Sequence, residues 1–128
     1  MGYQPINKVP ELLSMADLVV LPSISGYESI GQIPAKIFDA MAMEKPIIAS
    51  NTSDLPIILN GCGIIVSNEN IDDLSKNIEI VLNNPYFALE LGKKARKKFL
   101  DEYSLNVIEE KLLYLVERVM DKNRNENL

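Results

Sequence analysis

Three short aliphatic runs punctuate the first half of the chain: Asp17-Leu-Val-Val-Leu21, Pro46-Ile-Ile-Ala-Ser50 and Gly63-Ile-Ile-Val66. None alternates apolar with polar residues, as a strand with one wet face would. Near-continuous runs of this length are the pattern of parallel strands buried on both faces. Between and after them the apolar positions fall three and four apart, the spacing of amphipathic helices. Pro10 to Met15 is predicted as a short helix, and Pro34 to Met43 as a second with Ile37, Phe38, Met41 and Ala42 turned inward. One helical turn is expected over Asp54 to Leu59, ahead of an Asn60-Gly-Cys-Gly63 turn. Ile71, Leu74, Ile78, Val81 and Leu82 mark one face of the next helix, which Asn83-Asn-Pro85 stops. Tyr86 to Leu100 follows, and Ser104 is placed to cap a last helix reaching about Met120.

This order predicts an α/β fold: a partial Rossmann-like parallel sheet of about three strands with flanking helices and a C-terminal helical run. At 128 residues the chain is large enough for one core and too small for two. One unit is expected over residues 1–120, with a polar, frayed tail at 121–128. Three strands are few for such a sheet, and the first is the most apolar. A greasy edge strand invites association unless it is covered. The expectation is that further strands, a second copy of the chain or a partner chain cover the Leu18–Leu21 edge.

Composition narrows the chemistry. A net charge of -5 opposes the electrostatic term that drives non-specific nucleic-acid binding. No apolar run approaches the roughly 20 residues of a membrane span. With no leader of signal-peptide type and a single cysteine, Cys62, a cytoplasmic protein is expected. The absence of histidine excludes a Ser–His triad within this chain and removes the commonest zinc ligand. No metal site is predicted. Catalysis, if present, rests on carboxylates, lysines and backbone dipoles, or on groups from a partner or ligand.

Those groups converge between Glu28 and Ser50. A loop bearing Gly26 and Gly31 leaves the first strand and opens a helix at Pro34, a residue suited to the first helical position. Ile33 has no side-chain oxygen with which to cap it, so the Ala35 and Lys36 N–H groups are left for water or an anionic ligand. Lys36 and Asp39, three apart, share a helix face. Spacing alone favours a solvent-exposed ion pair. Position at the carboxyl end of a parallel strand favours the ligand reading, because open α/β sheets bind ligands there.

Taken in order, several segments resemble the C-terminal domain of the group 1 (family 4 type) glycosyltransferases of the GT-B fold. They are Ala16-Asp-Leu-Val-Val-Leu-Pro-Ser23, a loop with Glu28, Pro34-Ala-Lys-Ile-Phe-Asp-Ala-Met-Ala42, Lys45-Pro-Ile-Ile-Ala-Ser50 and Asp54-Leu-Pro-Ile-Ile58. Gly63-Ile-Ile-Val66, the helix from Ile71 and Phe99-Leu-Asp-Glu-Tyr-Ser104 continue the likeness, which covers about residues 9–119. The resemblance implies a domain that binds a nucleotide-sugar donor as substrate, with no cofactor. Asp39 matches the second of the family's paired acidic residues, which meets the ribose hydroxyls. Glu28 resembles the first, which touches the transferred sugar, and is the catalytic candidate. The two lie eleven positions apart here, where the family has eight. Gly31, Gln32 and Ile33 fall where family backbone amides meet sugar and phosphate oxygens, and Lys36 where a phosphate contact is placed. Ile57 stands where many members carry Glu. The resemblance further implies that an acceptor domain and the first strands of the donor domain, with their basic pair for the pyrophosphate, lie outside this chain. Transfer activity is then expected only together with those parts. The alternative is a non-catalytic binding or oligomerisation module, or an inactive remnant.

Three other features have plainer readings. The Lys93-Lys-Ala-Arg-Lys-Lys98 run is expected to be a solvated helix face. Leu105, Ile108, Leu112, Leu115 and Val119 alternate three and four apart, a seam suited to packing on the chain's own sheet, on another domain or on a second copy. Cys62 is read as a small turn residue.

Overall fold

The computed structural model describes residues 3–23 and 31–126. Three parallel strands, β1 (Val19–Leu21), β2 (Ile47–Ser50) and β3 (Ile64–Val66), form one sheet in that order, with Val19 opposite Ile47 and Ile48 opposite Ile64. Each is shorter than its aliphatic run, losing residues at its start. Pro46, for example, stays outside the strand yet accepts the Val19 N–H through its carbonyl at 3.0 Å.

Side chains alternate across the sheet, as the pleat requires. Leu21, Ile47 and Ala49 face one layer, together with Ile37, Ala40 and Met41 of α2 (Lys36–Ala42) and Leu55 and Ile58 of α3 (Leu55–Ile58). Ile48 and Val66 face the other, against Leu74, Ile78 and Val81 of α4 (Ile71–Asn83). Both faces of the central strand are therefore buried, which is why its sequence shows no alternation. Ile47, Ile48, Ile37 and Met41 are fully inaccessible, and burying each such side chain is worth about 1.5–3 kcal/mol.

The remaining helix of the body, α5 (Pro85–Lys98), begins where Pro85 ends the α4 pattern, as the sequence predicts. Leu91 belongs to one layer and Ala95 to the other, so α5 passes from face to face across the ends of α2 and α3. Gly92 makes this crossing possible, because a Cβ there would lie 2.9 Å from the Glu44 carbonyl carbon and closer still to its oxygen. The basic run is the solvated face expected, with Lys93, Lys94, Arg96 and Lys97 exposed and Lys98 half-buried. Lys93 pairs with Glu90 and Lys97 with Asp101 at the surface. Arg96 donates to the Ala42 carbonyl at the end of α2. Lys98 donates to the Ile57 and Asn60 carbonyls, at 3.0 and 3.4 Å, at the end of α3. Two cations thus cap helix C-termini, where unpaired carbonyls and the dipole favour positive charge.

A short helix α1 (Val9–Ser14) precedes β1, and a π-helical turn (Phe99–Tyr103) joins α5 to α6 (Leu105–Glu126), which runs past the expected end near Met120. Ser104 stands at the head of α6 in an extended conformation. Its hydroxyl donates back to the Leu100 carbonyl at 2.9 Å, and the Ser104 carbonyl accepts the Ile108 N–H. Leu105, Ile108, Leu112, Leu115 and Val119 are all exposed, so among the described residues the α6 seam packs on nothing. Two residues of the expected α4 stripe, Ile71 and Leu82, are exposed as well; Leu74, Ile78 and Val81 carry the packing. In α2 the fully buried positions are Ile37, Ala40 and Met41, while Phe38 is half-buried against Tyr103 with ring centroids 5.1 Å apart. β1 and β3 are the sheet edges. No helix of the described residues is long and apolar enough to cross a membrane.

Candidate functional site

The chain leaves β1 through Pro22 and Ser23 and is described again from Gly31, so Glu28 lies outside the described residues. Gly31 occupies a turn with φ of 81°, a left-handed conformation that only glycine adopts freely. Its α-carbon faces open space, with nothing within 4 Å of where a Cβ would stand. Gln32 and Ile33 follow, both exposed.

The helix begins later than its proline suggests. The Ile37 N–H donates to Pro34 O and the Phe38 N–H to Ala35 O, both at 3.0 Å, a tight turn that passes into α2 at Lys36. No side chain caps this start. The Ala35 and Lys36 N–H groups lie ahead of the first bonded turn. Lys36 and Asp39 are both exposed, and they form no ion pair with each other among the described residues. Asp39 instead borders a groove of about 270 Å³ between α2 and α1, shared with Ile6, Val9, Leu13 and Met43.

A second concavity, of about 360 Å³, lies at the carboxyl ends of all three strands. Pro22 and Ser23 beyond β1, Ser50 of β2, Val66 and Ser67 of β3, and Ile71 and Leu74 of α4 line it. Its walls are held by hydrogen bonds. The buried Ser50 hydroxyl accepts the Ser23 N–H at 2.9 Å. Asn70 caps α4 by accepting the Asp73 N–H at 3.0 Å, while the Asp73 carboxylate accepts the Ser67 N–H at 3.1 Å. This reciprocal arrangement resembles a capping box and fixes the loop after β3. The sequence reading missed both devices. The Asn70-x-x-Asp73 spacing was the available signal for the cap; nothing local marks Ser50.

The two concavities are alike in charge: among the described residues Asp39 is the single ionised side chain lining the smaller one. No lysine or arginine is among the lining residues of the larger one, whose single ionised side chain is Glu69. A phosphate has no counter-charge there. Positive charge among the site residues named from the sequence comes from Lys36 alone, on the α2 side. Cys62, buried beneath α3 with its thiol 3.6 Å from the Ile58 carbonyl, has its pKa raised by burial, as a structural thiol does. No group of three or more acidic or thiol side chains able to hold a metal occurs among the described residues.

A parallel sheet covered on both faces, with an uncapped helix start and a cavity at its strand ends, is the frame of a Rossmann-like α/β layer. Residues 1–98 match the family of group 1 glycosyl transferases, and the chain belongs to that family. It is 33% identical over 104 residues to the poly(ribitol-phosphate) alpha-N-acetylglucosaminyltransferase of Staphylococcus aureus (strain COL), covering 79% of this chain and 20% of that protein. It is 30% identical over 117 residues to the N,N'-diacetylbacillosaminyl-diphospho-undecaprenol alpha-1,3-N-acetylgalactosaminyltransferase of Campylobacter jejuni, covering 89% and 29% respectively. Among solved structures, the sucrose-phosphate synthase of Thermosynechococcus elongatus superposes with a TM-score of 0.82 over 95% of this chain at 22% identity, and TarM with 0.70 over 90% at 32% identity. The chain spans 30% and 22% of those two structures. Its fold is thus that of part of a Rossmann-like GT-B enzyme.

Proposed function

We propose that this chain forms part of the nucleotide-sugar donor site of a glycosyltransferase, acting in transfer together with the remainder of such an enzyme. The observation that carries this reading is the family match, which runs through the β1 exit, α2 and all three strands. Gly31, Gln32 and Ile33 would present backbone amides to sugar and phosphate oxygens. Asp39 would accept hydrogen bonds from ribose hydroxyls, and Glu28 would orient the transferred sugar. In the reaction an acceptor hydroxyl displaces the nucleoside diphosphate from the anomeric carbon. The bond to the diphosphate oxygen breaks, the glycosidic bond forms, and the hydroxyl proton leaves to a base or to the departing phosphate.

Electrostatics supports a shared site. The departing diphosphate carries more charge than Lys36 can neutralise, so further cations from outside this chain complete the stabilisation. The outer edge of β1 is where additional strands of the same sheet would add. Isothermal titration of the chain with uridine, guanosine and adenosine diphosphate sugars tests the reading. One of them is expected to bind. Asp39→Ala and Lys36→Ala should each weaken that binding by roughly 1–3 kcal/mol, the cost of losing a charged hydrogen bond. Absence of binding by the folded chain would refute a donor site that functions within it, and unchanged affinity in both variants would refute the residue assignment.

A further inference from the structure

Ser50 is the one buried polar side chain among the described residues, 5% exposed at the end of the central strand. Its setting follows from the strand register. Leu21 stands opposite Ala49, so the next ladder position would pair Pro22 with Ser50. The Val19 N–H, donated to the Pro46 carbonyl, sets the parity: Val19, Leu21 and Ser23 turn their amides to β2, while Pro22 turns its nitrogen to the outer edge. On its other side β2 continues normally, with Ser50 opposite Val66 and the Asn51 N–H donated to the Val66 carbonyl at 2.9 Å. The next donor on the β1 side, the Ser23 N–H, is taken up by the Ser50 hydroxyl at 2.9 Å. The Ser50 carbonyl, the acceptor a continued ladder would use, is taken by the Thr52 N–H at 2.8 Å, and the hydroxyl of the same residue stands in for it.

We propose that Ser50 is a positioning residue for the donor site, fixing through this bond where the chain leaves β1 on its way to Gly31 and α2. The proposal rests on the donor-site reading for its functional consequence, and its geometric half stands without it. The bond spans 27 residues of sequence and joins the strand end to the first residue beyond Pro22. Without it the β1 exit has one anchor fewer, and the wall that Pro22 and Ser23 contribute to the cavity is free to shift. Nearly any small residue could fill the space; only a hydroxyl can both fit and accept this N–H.

Ser50→Ala and Ser50→Thr separate positioning from packing. Alanine removes the acceptor with little change in volume. Threonine keeps it, and its added methyl can enter the adjoining 360 Å³ cavity. Amide hydrogen exchange by NMR should show Ser23 exchanging at least tenfold faster in Ser50→Ala, with Ile48 and Ala49 unaltered and protection regained in Ser50→Thr. Affinity for the nucleotide sugar that binds the unsubstituted chain should fall at least fivefold in the alanine variant and return in the threonine variant. Unchanged Ser23 exchange in Ser50→Ala overturns the anchor. Loss of protection throughout β2 makes Ser50 merely structural and also overturns the proposal. Faster Ser23 exchange with unchanged affinity overturns its role in the site. If the unsubstituted chain binds no nucleotide sugar, the donor-site reading fails and takes the functional half with it, while the exchange data still decide the anchor.

Discussion

Gly92→Ala is the sharpest test of how the underside of the sheet is built. Gly92 lies inside α5, where alanine would ordinarily be favoured by about 1 kcal/mol over glycine. The local and tertiary effects therefore oppose each other, and the geometry decides which wins. An alanine Cβ would meet the Glu44 carbonyl carbon at 2.9 Å, its oxygen nearer, and the Lys45 carbonyl carbon at 3.5 Å. These are backbone atoms, and Glu44 itself holds a φ of 58°, so the turn cannot yield as a flexible side-chain tip would. Forcing a methyl group into such a contact costs typically 1–3 kcal/mol, and the backbone obstacle puts this case at or above the upper end. Subtracting the helix-propensity gain leaves a net loss of about 2 kcal/mol. For a domain of this size that corresponds to a fall in Tm of roughly 6–12 °C. Urea and thermal unfolding followed by circular dichroism would read it directly. Lys94→Ala, at an exposed site on the same helix, serves as the control and should stay within about 0.5 kcal/mol of the unsubstituted chain. A Gly92→Ala variant as stable as the parent, or more stable, would refute the close crossing of α5 over the Glu44 turn.

Two further outcomes follow from the same layer. Arg96→Ala removes the cation that caps α2 at Ala42 and should cost about 1–2 kcal/mol in the same unfolding assays, an effect absent if Arg96 is merely solvated. Burial raises the Cys62 pKa above its ordinary value of 9.0, so the folded state keeps the proton longer than the unfolded state does. This contribution is complete below the unfolded pKa and is lost as pH rises through the folded one; stability should therefore decline more steeply above about pH 9 in the parent than in Cys62→Ala. Equal slopes in the two proteins would remove Cys62 from the account.

The sheet was readable because its information is local. Strands buried on both faces must be aliphatic almost throughout, and Pro85 and Asn60-Gly-Cys-Gly63 interrupt the chain unmistakably. Long-range arrangements were not readable in the same way. Arg96 and Ala42 are 54 residues apart, and nothing in a basic run distinguishes a lysine in water from one capping a distant helix. The start of α2 was placed at Pro34 because proline suits a first turn, yet the structure inserts a tight turn before Lys36. Ile71 and Leu82 kept helical spacing but lie beyond the reach of the sheet. For the site, the sequence located α2 and its charged residues, and missed the strand-end cavity because its lining comes from three separate strand ends. The α6 seam was visible as spacing, but spacing cannot say what covers it.

The passage of α5 from one face of the sheet to the other also ties the two layers together. All three strands have been made by Val66, yet neither layer is closed at that point. Leu91 completes one cluster and Ala95 the other, and the carbonyl ends of α2 and α3 wait for Arg96 and Lys98. Without residues 85–98 both faces of the sheet are left unfinished. The helix that closes one face also closes the other, so displacing α5 exposes buried side chains of both layers at once.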